Sequence, residues 1–388
     1  MASSSSATVP TNVSESEELI VADFKKERLL GQGSSSSVYL ATNTFSNDVA
    51  ALKVEKAEKN QLNQEAYVLY KLQNAIGVPL IYYYQGKHLI MELLGPSIEH
   101  LYRVNCEGQF SLKTVLMLAI QMFDRVEYLH SKGFIYRDIK PENFLMGTGV
   151  NSHLVYLIDY GLAKPYLERH SKIHIPLRTR SGVVGTVRYA SLNAQKMLEI
   201  SRRDDLEALG YLFVYLAKGD LPWQHTGDSR TRKTKVQLIG NEKDAISLED
   251  LCKGLPNEFL EFIKYSRELD FEQTPDYAHL RQLFTDLFQK MNYVLDYEYD
   301  WIIRQKSQTN IDTENPGTSY TGTSSCLATP SFRTSTGTSS IKNSSATSIP
   351  RTSSENTNIG TSEETSNFLK VSPSSTKVSP EEKRRRQI

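Results

Sequence analysis

The densest chemistry in this 388-residue chain lies in YRDIKPEN at 136–143, where Arg137, Asp138, Lys140, Glu142 and Asn143 share one short polar stretch. Asp159 closes LVYLIDYG, a run suited to a buried strand, and a carboxylate at such a strand end needs a partner or a metal. Upstream, Lys53 follows Ala50, Ala51 and Leu52. An ammonium stranded among apolar residues needs a counter-charge, and Glu65 in the helix-prone NQEAYVLYKL can supply it. In GQGSSSSVYL at 31–40, two glycines let backbone amides approach a polyphosphate, although a glycine pair can equally mark a tight hairpin. Phosphoryl transfer accounts for all four strings together. Its transition state asks mainly for positioning and charge neutralisation. Asp138 would accept a hydroxyl proton and Lys140 would stand near the transferred phosphoryl group. Asn143 and Asp159 would offer oxygens to Mg2+, and Lys53, steadied by Glu65, would hold the α- and β-phosphates of a nucleotide.

These groups need a scaffold, and the patterning changes type along the chain in a way that provides one. Over 24–55, the β-prone runs KERLL, SVYLATN and VAALKVE are separated by Gly31, Gly33 and the turn-forming Asn47-Asp48, which predicts an antiparallel meander. Over 111–132, Val115, Leu118, Ala119, Met122, Val126 and Leu129 recur at helical spacing, with Ser111 placed to cap and Gly133 to terminate. A small sheet followed by helices is the expected order.

Composition narrows the setting. The 45 basic and 45 acidic residues cancel, so no overall field gathers nucleic acid, and none is expected as a partner. Cys106, Cys252 and Cys326 have neither the number nor the spacing of a disulfide framework or zinc site, which fits a reducing interior. No uncharged apolar run is long enough to span a bilayer, and the polar first residues lack the apolar region of a secretion signal. A cytoplasmic or nuclear monomer is expected. Residues 1–22 are serine-rich and acidic, and 304–388 are dominated by Ser and Thr, so both segments read as disordered flanks of one domain over 23–303. The run Lys383, Arg384, Arg385, Arg386 is either a solvated charge cluster or a nuclear-import or phosphate-binding address.

Over about residues 24–301 the chain closely resembles the casein kinase I family of Ser/Thr protein kinases. The resemblance is carried by LLGPSIEHLY at 93–102, SLKTVLMLA, NFLMG, GTVRYASLN at 185–193, SRRDDLEALGY and LPWQ. Most kinase families end the activation segment with Ala-Pro-Glu; this family carries Ser-Ile-Asn, here Ser191-Leu192-Asn193. The resemblance implies an α+β bilobal protein-kinase fold, with an antiparallel sheet and one helix in the N-lobe and a mainly helical C-lobe. It implies ATP and Mg2+ as cofactors. The nucleotide would lie against Leu30, Gly31, Gln32, Gly33, Ser34, Ser35, Ser36, Ser37, Val38, Lys53, Met91 and Leu94. It also implies protein substrates that are acidic or already phosphorylated three residues before the target, read by an anion site at Arg188, Gly219 and Lys235. An arginine facing substrate can fork onto a phosphate. The plainer alternative is that Arg188 and Lys235 pair with acidic neighbours such as Asp204 or Glu207.

The chain departs from the family pattern at several points. Ser36 replaces the third glycine of the nucleotide loop and Ser35 an aromatic at its tip, which predicts a looser cover over ATP. Tyr136 stands where the family has histidine, Tyr160 where it has phenylalanine, and each adds a hydroxyl that must be satisfied. A basic position of the anion site is Ser181, with Arg178 and Arg180 close by. The segment joining Lys53 to Glu65 is slightly shorter than usual. A kinase-fold scaffold without catalysis is the competing reading; the retention of Lys53, Asp138, Asn143 and Asp159 argues against it. In the tail, Glu363 precedes Ser366 by three residues and Ser345 precedes Ser348 by three. Phosphorylated in sequence, such sites would occupy the anion site in cis, unless the tail is an inert spacer.

Overall fold

The computed structural model describes residues 19–56, 60–225 and 231–314; the lead-in up to residue 18 and the tail from residue 315, with its phosphorylation and basic-run readings, lie outside them. The β-prone runs form a six-stranded antiparallel sheet in the order β1-β2-β3-β4-β6-β5. Its strands are β1 (Ile20–Val21), β2 (Phe24–Gln32), β3 (Ser36–Asn43), β4 (Val49–Glu55), β5 (Ile81–Gln85) and β6 (His88–Glu92). The pairing of β1 with β2 corrects the expected boundary at residue 23: Val21 is buried beside Ala41, Ala50, Leu52 and Ile90 and belongs to the sheet's outer core. Asn47 turns β3 into β4 with φ 60°, a conformation asparagine tolerates.

Alternation along β4 sorts its side chains between two faces. Ala50 and Leu52 enter the outer cluster, whereas Ala51 joins the main core with Leu89 and Met91. Lys53 and Glu55 therefore project on the same side as Ala51, toward α1 (Gln61–Leu72), the one helix of this half among the described residues.

The rest is mainly helical. α2 (Ile98–His100) runs into a π turn at Leu101–Asn105, and α3 (Leu112–Ser131) is the amphipathic helix expected from the spacing. The Ser111 hydroxyl accepts the Thr114 N–H at 3.2 Å, and Gly133, at φ 84°, turns the chain out of the helix. Short strands β7 (Phe134–Ile135), β8 (Phe144–Met146), β9 (Val155–Leu157) and β10 (Lys164–Pro165) frame the polar loops that follow, in the pairs β7–β10 and β8–β9. Then come α4 (Leu192–Gln195), α5 (Arg202–Lys218), α6 (Arg232–Ala245), α7 (Leu248–Leu251), α8 (Asn257–Glu268), α9 (Tyr277–Lys290) and α10 (Asp300–Glu314). α5 is buried along nearly its whole length and ends at Gly219, whose φ of 98° favours glycine. α10 runs eleven residues past the boundary expected at 303, and Trp301, packed on Phe110 and Tyr299, anchors its first turn. Among the described residues, no helix is long and apolar enough to cross a membrane.

Candidate active site

The two glycines at the β2–β3 turn are not demanded by its geometry. Neither has a positive φ; a Cβ on Gly31 would meet nothing within 4 Å, and one on Gly33 only the Ser36 carbonyl at 3.7 Å. Gly31 pairs with Val38 and Gln32 with Ser37, and the Gly33 N–H donates to the Ser36 carbonyl at 2.9 Å. Lys56 reaches across, its N–H donating to Ser35 O at 2.9 Å and its ammonium to Gly33 O at 2.8 Å. Gly31, Gln32, Gly33 and Ser34 remain exposed, and Leu30 is 39% exposed. Ser35 and Ser36 are half-buried and Ser37 is buried. Val38 packs on the main core, which also holds Met91, and Leu94 lies half-buried just beyond β6. The glycines thus leave room above the cleft rather than relieving strain.

Below this hairpin, Lys53 Nζ lies 2.6 Å from Glu65 Oε2 and 3.0 Å from Asp159 Oδ1. Burial disfavours the ammonium, but the two carboxylates outweigh it and hold the Lys53 pKa above the usual lysine value. The short segment between Lys53 and Glu65 does not prevent the pairing, for a reason invisible in the sequence. Asn60 at the start of α1 makes no side-chain cap; Glu55 Oε1 instead accepts the Gln61 N–H at 3.0 Å and the Leu62 N–H at 3.4 Å. A strand residue two positions from Lys53 thereby caps the helix that carries Glu65.

Asp138 is buried and closely surrounded. Its Oδ2 lies 2.6 Å from Lys140 Nζ and accepts from Asn143 Nδ2 at 3.3 Å; its Oδ1 accepts the Thr186 hydroxyl at 2.8 Å. Asn143 also donates to the Asp138 carbonyl at 3.1 Å, which turns its side-chain oxygen away from that loop. The loop backbone is pinned by Asp205, which accepts from Tyr136 N at 2.6 Å, Arg137 N at 2.8 Å and His130 Nε2 at 2.9 Å. Gly185 crosses so closely that a Cβ on it would lie 2.2 Å from Arg137 O. Arg137 donates to Leu162 O at 2.7 Å; burial and the nearby Arg180 bring its pKa down to about 10.

Asp159 adopts φ 59°, ψ 66°, and Arg137 φ 71°, left-handed conformations that ordinary residues hold only when their surroundings enforce them. The two added tyrosine hydroxyls supply part of that enforcement. Tyr160 donates to Leu157 O at 3.0 Å, and Tyr136 donates to Ile158 O. Their rings meet edge to face with centroids 5.8 Å apart. Burial pushes both phenols above their ordinary value, so they remain neutral donors. The Asp159 side chain stays 43% exposed toward the cleft. Desolvation there works to raise its pKa, and Lys53 more than offsets it, keeping the carboxyl below its usual range.

This donor set suits magnesium held jointly with phosphates: one amide oxygen and one ionised carboxylate, both hard ligands, beside a lysine held by two carboxylates. The residues therefore fit a magnesium nucleotide. Thr186, Asp205 and Glu55 escaped the sequence reading. Thr186 and Asp205 lie within strings that marked the family resemblance, but only the fold shows which atoms they touch.

The third cluster is looser. Arg188 lies half-buried, its guanidinium 5.8 Å from the Tyr189 ring and 5.9 Å from the Tyr215 ring. Tyr215 belongs to the turn of α5 that Gly219 closes, since Gly219 N donates to Tyr215 O. Arg188 and Gly219 thus both meet Tyr215, one at its ring and the other at its carbonyl. Lys235 is exposed in the first turn of α6. Among the described residues, no ion pair joins Arg188 or Lys235 to Asp204 or Glu207, which have other partners. Asp204 is engaged by the Ser191 hydroxyl and Ser201 N–H, and Glu207 by Arg267, Tyr211 and Leu192 N–H.

A family model described as the protein kinase domain matches residues 24–282, more than half of the chain, and the chain belongs to the protein kinase family. Members transfer phosphate to proteins and generally use ATP and Mg2+.

Proposed function

We propose that the chain is an active Ser/Thr protein kinase of the casein kinase I type, working in the cytoplasm or nucleus on acidic or pre-phosphorylated protein substrates. The observation that carries this reading is the surroundings of Asp138. A carboxylate acts on a hydroxyl nucleophile when it is held in place, and Lys140 at 2.6 Å with Thr186 at 2.8 Å fixes both oxygens of Asp138. Bound Mg-ATP supplies the phosphoryl group. Asn143 and Asp159 would hold the metal, Lys53 the inner phosphates, and Lys140 would offset charge that develops at the outer one. Asp138 orients the Ser or Thr hydroxyl and takes its proton. Arg188, which shares Tyr215 with Gly219 and has no carboxylate partner among the described residues, would accept an upstream phosphate or carboxylate; charge-assisted bonds of this kind contribute roughly 1.5–3 kcal/mol.

The test compares phosphate transfer from Mg-ATP to casein by the purified chain and by Asp138→Asn. Transfer by the wild type far above the variant is expected; equal residual transfer would sink the reading. One observation favours a scaffold instead: the serine-filled β2–β3 turn, exposed from Gly31 to Ser34. Titration with Mg-ATP separates the two readings, since a scaffold of this kind binds nucleotide weakly or not at all.

A further inference from the structure

Lys243 sits in the last turns of α6, a helix of polar sequence, yet its residue exposure is 0%. Lysine is almost never fully buried without a partner, because its ammonium gives up its hydration there. No carboxylate pairs with it among the described residues. Glu207 on α5 influences it from a distance but is already bound to Arg267 on α8. Its partners are main-chain carbonyls: Nζ donates to Val187 O at 3.0 Å and to Ala190 O at 2.6 Å. It also lies 4.9 Å from the Trp223 ring and 5.0 Å from the Tyr211 ring. Trp223, also fully buried, donates its Nε1–H to Arg188 O at 2.8 Å. Three carbonyls within the four-residue stretch 187–190 are thus gripped by two side chains that also touch one another.

What this grip fixes is specific. Arg188 lies between the two carbonyls held by Lys243 and has its own carbonyl held by Trp223. Trp223 follows Gly219 by four residues, and Lys235 lies eight residues before Lys243 on the same helix. Resting on the anion-site reading above, we infer that Lys243 and Trp223 are positioning residues for it: they tie the three chain segments that carry Arg188, Gly219 and Lys235 to one buried point. Neither touches substrate. Their amine and indole set the direction of Arg188 and the seat of α6, so their loss should be felt in recognition of the upstream anion and not in the chemistry at Asp138.

The experiment uses the full chain and two peptides that differ only in serine or phosphoserine three residues before the target serine. Steady-state kinetics are measured for wild type, Arg188→Ala, Lys243→Met and Trp223→Phe, with thermal melting of each. The wild type should prefer the phosphorylated peptide by about tenfold or more in kcat/KM, and Arg188→Ala should abolish the preference. Lys243→Met and Trp223→Phe should each remove most of it through KM for the phosphorylated peptide, leaving kcat and KM for the other peptide within about twofold. Trp223→Phe keeps a buried ring and carries the test if Lys243→Met does not fold. Retention of the full preference by the positioning variants, while Arg188→Ala loses it, would overturn the inference. So would an equal loss on both peptides, which marks a role in folding alone. A wild type without preference, or an Arg188→Ala variant that keeps it, overturns the anion-site reading and the inference with it.

Discussion

Asp138 is 7% exposed and touched by Lys140, Asn143 and Thr186, with the two residues before it pinned by Asp205, whereas Gly33 at the β2–β3 turn is exposed and tied by one main-chain bond and by Lys56. Both segments border the proposed nucleotide cleft, yet they are built for different tolerances. The loop that would perform the chemistry is over-determined: removing any one contact leaves others, and a distortion has nowhere to relax. The hairpin that would cover the phosphates has open space around its glycines, so it can adjust to what it meets. Misplacement by about 1 Å at a reacting group costs on the order of 100-fold, so rigidity belongs at Asp138 and compliance at the cover.

Substitutions on the two sides should differ accordingly. The largest effect is expected for Gly185→Ala, whose Cβ would press on Arg137 O and lie 3.4 Å from Asp138 Oδ1 at a φ of 84°. Steady-state assays should show kcat reduced by about 100-fold while ATP titration shows affinity retained. A kcat near wild type would mean that the loop is more compliant than its contacts imply.

Buried polarity on the same side makes a pH-dependent prediction. Burial brings the Lys243 pKa down to about 7, helped by Arg267 and opposed by Glu207. Between there and the ordinary lysine value the unfolded chain binds the proton and the folded chain does not. Unfolding free energy of the wild type, relative to Lys243→Met, should therefore rise as pH increases from about 7 to about 10, by at most about 1.4 kcal/mol per pH unit. Denaturant melts at several pH values check this, and a flat or falling difference would contradict it.

A smaller change is expected from Tyr160→Phe, which leaves Leu157 O without its donor and should lower stability by about 1 kcal/mol. Its kcat should fall severalfold as Asp159 loses one restraint. Smallest of all, Gly33→Ala should leave stability within about 0.5 kcal/mol and raise KM for ATP only severalfold. A loss as large as that of Gly185→Ala would show that the hairpin is as constrained as the loop beneath it.

Much of the proposed site was legible because its groups sit in contiguous strings. YRDIKPEN, DYG and the lysine after an apolar run name their residues without the fold, and the change from β-prone runs to helical spacing foretold the order of sheet and helices. What stayed hidden depends on contacts distant in sequence. The two residues of β1 are too few to show a period, and Val21 declares itself only by packing on Ala50 and Ile90. Thr186 stands 48 positions from Asp138. In RKTKVQLIGNEKDA nothing distinguishes Lys243 from the lysines left in solvent, since helix polarity describes a surface and the exception is created by Trp223 and the carbonyls it meets. The extension of α10 beyond 303 was missed for the opposite reason: its sequence is polar enough to resemble the tail, and its first turn is held by aromatic packing.

The Glu55 cap has a consequence for how this half of the molecule can vary. Lys53 and Glu55 lie on one face of one strand, so the register of β4 sets both the ammonium and the point at which α1 begins. The helix is then counted from its own start, and Glu65 falls on the turn that faces Lys53. A single-residue slip within the strand would carry lysine and cap together to the wrong face.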